Sequence, residues 1–207
     1  PIDGEISTRV SEYATSNDNA GSDAARIENG NCGGAYAPCT LTAGTYHLDG
    51  FELDSNDQVT LDTSGGPVYL AVDGDVETTG GSAVNVVGPN RVHVYSNGDY
   101  TIRTDWNSVG DRGDQIWLYG TSTSRVSIRG GATFYGAIYA PGNQDISVTG
   151  GSEVFGGVVG GVSTIQGGTA IHYDTVLSGV KPVVEDGSGP PVSYLHVTVN
   201  ELRVESE

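Results

Sequence analysis

Carboxylates are the side chains in this sequence numerous enough to build a reactive centre. In residues 104–115, TDWNSVGDRGDQ, three of them (Asp105, Asp111 and Asp114) lie close to Trp106 and Arg112. Such a set could serve as acid and base on a glycosidic bond, or hold a calcium ion. Asp73, Asp75 and Asp145 are further candidates. A catalytic stripe on a repetitive scaffold requires acids at equal positions in successive repeats, and the sequence shows none paired in this way. The stretch therefore reads as a surface contact loop of Asp105, Trp106, Asp111, Arg112 and Asp114, with no catalytic, cofactor-binding or metal role assigned. Arg112-Gly113-Asp114 spells the integrin-binding tripeptide, a match that chance supplies in a chain rich in Gly and Asp.

Other reactive groups are sparse. Cys32 and Cys39 are the only cysteines, set in NCGGAYAPCT. A zinc site would need two more ligands, and the nearest candidate, His47, falls in an expected strand. A disulfide is the better reading, and it implies an oxidising, extracellular setting. His47, His93, His172 and His196 sit in separate strands without ligand spacing. No serine stands in a G-x-S-x-G context, and there is no phosphate loop. Tyr135, Tyr139 and Tyr173 could form a sugar-stacking surface or stack within the fold.

The elements that position these groups are repeats. Residues 126–173 read VSIRGGATFYGAIYAPGNQD, ISVTGGSEVFGGVVGGVS and TIQGGTAIHYD, with Gly130-Gly131, Gly150-Gly151 and Gly167-Gly168 placed 20 and 17 residues apart. A period under about 25 residues, made of short β-branched alternations broken by glycine, marks a stacked solenoid. Alternation points Val126, Ile128, Phe134, Ile146, Val148, Val154, Ile165 and Ile171 inward. A hairpin sandwich would favour Asn-Gly or Asp-Gly turns instead. The expected fold is all-β: a parallel, right-handed β-helix.

Traced backwards, the same frame predicts Gly65-Gly66 and Gly80-Gly81 as equivalent turns, with Leu61 and Val76 four residues before them. Ile2, Ile6, Val10 and Tyr13 recur at helical spacing near the N-terminus, which predicts a short amphipathic helix laid across the open end of the first coil. Residues 1–180 thus form the β-helix with its helical cap, 181–191 a Gly/Pro linker, and 192–207 a C-terminal strand. In that strand Tyr194, Leu195, Val197 and Val199 are candidates for a donor strand that docks on its own coils or on a neighbour's.

There are 26 acidic residues against 9 basic ones, a net charge of −17. Nucleic acid and anionic lipid both need positive surface, so both are excluded as partners. The acids are spread along the chain, which fits adaptation to high salt better than one cation-binding patch. Molar salt shortens the screening length to about 3 Å and relieves self-repulsion. No run of 18 apolar residues is present, so this segment has no membrane contact of its own. The absence of Met and the start at Pro1 suggest a mature or excised piece of a longer protein.

CGGAYAPCTLTAGTYHLDGFEL, TLDTSGGPVYLAVDGDV, FYGAIYAPG, EVFGGVVGG and TAIHYD together resemble a domain of pilin-like surface proteins of halophilic archaea. The terminal YLHVTVNELRV also looks like the C-terminus common in such proteins. The resemblance implies a preceding membrane segment with a type IV pilin-like signal. It also implies a cell-surface or filament role, with partners that are copies of itself, other surface proteins or carbohydrate. More distantly the coils are similar to bactofilin-type β-helices, which have shorter rungs and no disulfide. The functional expectation is a non-enzymatic extracellular structural or adhesion module; the alternative is a carbohydrate-active β-helix enzyme, lyase or hydrolase.

Overall fold

The computed structural model describes residues 2–180. The linker (181–191) and the expected strand with Tyr194, Leu195, Val197 and Val199 lie outside the described residues. Those described form a parallel β-solenoid in which each of the first four coils contributes three short strands, while in the next two coils one longer strand, Thr133–Tyr139 or Glu153–Val159, runs through the first two faces. The first two faces, A and B, belong to one 11-stranded sheet, and the third, C, is a separate 6-stranded sheet. Every pairing between named strands is parallel, in ladders one coil apart.

The β-branched alternation dictates this arrangement, because each strand turns every second side chain into a shared core. On face A, Cys39, Val59, Val84, Trp106, Phe134, Val154 and Ile171 stand in register on successive coils. On face C, Val76, Tyr100, Val126 and Ile146 do the same. Val126, Ile128, Phe134, Ile146, Val148 and Val154 are all fully buried, as the alternation predicts. Ile171 is only partly buried against the core, and Ile165 is 47% exposed although it is in register with Val148. The two belong to the last strands, Val162–Gln166 and Ala170–Tyr173, which among the described residues have no further coil on their far side.

The glycine frame needs one correction. Gly80-Gly81 lies, like Gly130-Gly131, where face C leads into face A, but Gly65-Gly66 joins face A to face B. Leu61 accordingly pairs with Leu41 and Val86 on face A, whereas Val76 is the true counterpart of Val126. At Gly130 and Gly131 nothing lies within 4 Å of an added Cβ, so their φ of 78° and 81°, not space, requires glycine. Gly156 is the opposite case: an added Cβ would sit 1.8 Å from the Gly136 carbonyl oxygen one coil below.

The helices also sit differently from the expectation. Helix α1 (Ile2–Thr15) does not lie across the coil end; it lies along the outside of face B. Its buried Ile2, Ile6 and Val10 pack on the outward row Ala71, Tyr95, Tyr119 and Tyr139 and on Trp117 of the neighbouring row. At its start Asp3 accepts from the Ser122 N–H (2.8 Å) and hydroxyl (2.6 Å). Just beyond its end, Asp18 accepts from Thr45 N–H (2.8 Å) and Asn19 from His47 N–H (3.1 Å). The first coil is capped instead by α2 (Ala24–Glu28), whose Ala24 and Ile27 are fully buried in the main core. Beside it Cys32 and Cys39 form the expected disulfide, with Cα atoms 4.9 Å apart. Asp57 ties this cap down by accepting from Cys32 N–H (3.0 Å) and Asp54 N–H (2.9 Å). Among the described residues no helix is long and apolar enough to cross a membrane.

Candidate functional site

The outward side of face A carries an aromatic ladder. Tyr135, Phe155 and His172 occupy the same position on three successive coils. Parallel in-register strands are about 4.8 Å apart, which is stacking distance for aromatic rings, so identical positions place ring on ring. Tyr135 and Phe155 have centroids 5.1 Å apart with planes 17° from parallel; Phe155 and His172 are 4.5 Å and 9° apart. Within the stack the faces cover one another, so solvent meets the ring edges and, at the end, the exposed His172. On the earlier side the column continues as Asn107 and Asn85, joined by a 3.1 Å hydrogen bond between their side chains.

Carboxylates rim this ladder. Thr133, Glu153 and Ala170 form the neighbouring outward row, and Glu153 Oε1 lies 3.5 Å from His172 Nε2. Asp105 accepts from Thr133 N–H at 2.8 Å. Burial first, then the negative charges of Asp111, Glu153 and Asp105, raise the Tyr135 phenol above its ordinary pKa, which keeps it a neutral donor. The strip therefore presents ring edges, with the hydroxyl and carboxylate groups beside them able to hydrogen-bond the O–H groups of a ligand.

The structure divides the residues of the expected contact loop. Asp105, Asp111 and Arg112 are exposed. Trp106 is not a surface residue: it forms a two-residue strand with Asn107, is fully buried, and lies 5.7 Å from Phe51 and 6.2 Å from Phe134 by ring centroid. Asp114 is buried and held by Arg112 (Nε to Oδ1 3.0 Å), with Arg91 3.6 Å away. Gly113 is also buried, its N–H donating to Asp174 at 2.8 Å, so the tripeptide is not displayed as a recognition loop.

Acids do stand at equal repeat positions, contrary to the sequence reading. Asp75, Asp99, Arg125 and Asp145 each precede the first inward residue of face C and so form one column. Asp75 Oδ1 accepts from Asp99 N–H (2.7 Å), and Asp99 Oδ1 from Arg125 N–H (2.8 Å). Arg125 Nε donates to Asp145 Oδ2 (3.0 Å). These carboxylates fasten each coil corner to the next. Asp73 likewise accepts from the Asn97 amide (2.9 Å) one coil on. The signal was present in the sequence, since each acid stands immediately before an inward residue, but it emerges only once three strands per coil are counted. Among the described residues no three or more His, Cys, Asp or Glu side chains are grouped to hold a metal ion.

No curated protein and no solved structure matches the chain. Residues 1–180, the capped solenoid with its aromatic ladder, match the domain of unknown function DUF7305, and the chain belongs to that family.

Proposed function

We propose that this protein is a non-enzymatic extracellular module, part of a pilin-like surface protein of a halophile, whose face A ladder contacts carbohydrate. The observation that carries the reading is the Tyr135–Phe155–His172 stack rimmed by Asp105, Asp111 and Glu153. It offers a rigid, amphipathic strip built on strands rather than loops. The aligned carboxylates of face C, the feature that would otherwise argue for a lyase or hydrolase, are engaged, Asp75 and Asp99 with main-chain amides and Asp145 with the Arg125 side chain. The Cys32–Cys39 disulfide supports an oxidising location. The net charge of −17 supports a saline one, where screening removes its cost.

The test is retention on a panel of immobilised polysaccharides in molar salt, comparing the wild type with Phe155→Ala. Phe155 is partly exposed and projects outward, so its removal spares the core. Retention of the wild type on at least one polysaccharide, reduced about tenfold in the variant, is expected from loss of one aromatic contact of about 1.4 kcal/mol. Equal retention of the two proteins, or none by either, contradicts the carbohydrate role and leaves a purely structural subunit.

A further inference from the structure

Two arginines on face C have no acid beside them. Among the described residues Arg9, Arg26, Arg91, Arg112 and Arg125 each have a carboxylate oxygen between 2.8 and 3.6 Å away. Arg103 and Arg129, among the same residues, have none, although the chain has 26 acidic residues. They are also neighbours. Thr79, Arg103, Arg129 and Thr149 follow the paired residues Thr78, Ile102, Ile128 and Val148, and so form one outward column of face C. Arg103 N–H donates to the Thr78 carbonyl (3.1 Å) and Arg129 N–H to the Ile102 carbonyl (2.9 Å), which carries the parallel ladder past the strand ends. The two arginine Cα atoms are thus about 4.8 Å apart. Like charges directly opposite one another in a sheet are destabilising. Along the other edge of face C the fold avoids this: Arg125 stands between Asp99 and Asp145 and donates to Asp145 at 3.0 Å. The arginine pair is flanked by threonines instead. Arg103 Nε is, besides, buried with no hydrogen-bond acceptor among the described residues. A charged donor left in this way costs stability that an acceptor from outside restores.

We infer that Arg103 and Arg129 form a binding site for one oxyanion group, a carboxylate or a sulfate, on a small or otherwise uncharged molecule. A guanidinium is a planar fork of N–H donors that matches the paired oxygens of such a group, and two forks on adjacent rungs can grip one anion together. The anion relieves the repulsion between the arginines and supplies the acceptor that Arg103 Nε lacks. Thr101, Ser127 and Thr149, outward on the same face, bring hydroxyl donors to the edges of the site. A polyanion does not fit, because beyond the pair it meets the acidic surface, with Glu77 and Asp99 on this same face. The site lies on face C and the aromatic ladder on face A, so either can hold without the other.

Arginine side-chain NMR on the full chain tests it, because each Nε–H signal reports one guanidinium. Sodium sulfate, sodium galacturonate and uncharged galactose are titrated separately at constant ionic strength, with sodium chloride making up the difference. The Arg103 and Arg129 signals should shift saturably with an oxyanion and stay put with galactose. The Arg125 signal, already bonded to Asp145, should hold still throughout. Saturation by galacturonate, with or without sulfate, assigns the site to the carboxylate of an acid sugar; saturation by sulfate alone assigns it to a free inorganic oxyanion. Arg129→Gln, at an exposed position, keeps the fold and should weaken the half-saturation read at Arg103 about tenfold, the worth of one charge-assisted hydrogen bond. No saturable shift with either anion, an equal response to galactose or at Arg125, or an unchanged half-saturation in Arg129→Gln would overturn the inference.

Discussion

Asp99 Oδ1 accepts the main-chain N–H of Arg125, one coil further on, at 2.8 Å. The same contact joins Asp75 to Asp99 at 2.7 Å, so at two successive corners a carboxylate satisfies an amide that no strand pairs. Removing the acceptor leaves that donor to water at a partly exposed corner. Asp99→Ala should therefore lower stability by about 1–2 kcal/mol. Urea unfolding in a fixed high-salt buffer measures it, and an unchanged midpoint would show that these acids do not hold the corners.

Val154 and Ile165 make a paired test of the core. Val154 is fully buried between Phe134 and Ile171, whereas Ile165 is 47% exposed on a last strand. Val154→Asp places an uncompensated charge in the core and should cost more than about 4 kcal/mol, enough to unfold the domain. Ile165→Asp should cost about 1 kcal/mol or less at its exposed position. Similar melting temperatures for the two variants would refute the inward assignment.

Much of this was legible beforehand. The alternation around Ile128, Val148 and Val154 identified the core rows, and the short Gly/Pro loop identified the Cys32–Cys39 bond. Trp106 was misread because its strand is two residues long, set between the polar Thr104, Asp105, Asn107 and Ser108. Only its partners Val84 and Phe134 reveal that it completes a rung. The position of α1 was present in a signal of another kind. Strands VYLAV, VHVYS and IWLYG carry large apolar or aromatic groups on both faces, and a sheet apolar on both sides must be covered on both. The cap, by contrast, is a five-residue helix, too short to announce itself by periodicity.

His93 supplies a pH signature beneath α1. Its ring is buried, stacks 5.0 Å from Tyr69, and meets the Tyr119 hydroxyl at 3.1 Å through Nδ1. Burial first, then the positive Arg91 and Arg9, lowers its pKa from 6.5 to about 4. The unfolded chain thus takes up this proton at higher pH than the folded one, so stability falls as pH drops from about 6.5 through 4. Full loss would amount to about 3 kcal/mol. Asp3, held below its usual pKa by its Ser122 hydrogen bonds, adds a loss of the same sign in acid. His93→Gln cannot titrate, so its stability deficit at pH 7 should shrink by pH 4.5. A deficit constant across that interval would contradict the buried neutral imidazole.

Salt should oppose the mutual repulsion of the carboxylates. With 26 acidic and 9 basic residues, the compact state gathers like charge that the unfolded chain spreads out. Raising NaCl or KCl from about 0.1 to 3 M shortens the screening length from about 10 Å to below 3 Å and should raise the melting temperature by several degrees. A flat profile over that range would count against the saline setting.

In the proposed role this solenoid contacts its surroundings without transforming them. Incubating the full chain in molar salt with the same polysaccharide panel, while following reducing ends and unsaturated uronate absorbance, tests it most directly. No product above the protein-free control is expected, including with any polysaccharide that retains the protein. Release of either product, abolished by Asp105→Asn or Asp111→Asn while the melting temperature is kept, would contradict the account and make the acidic rim a catalytic site.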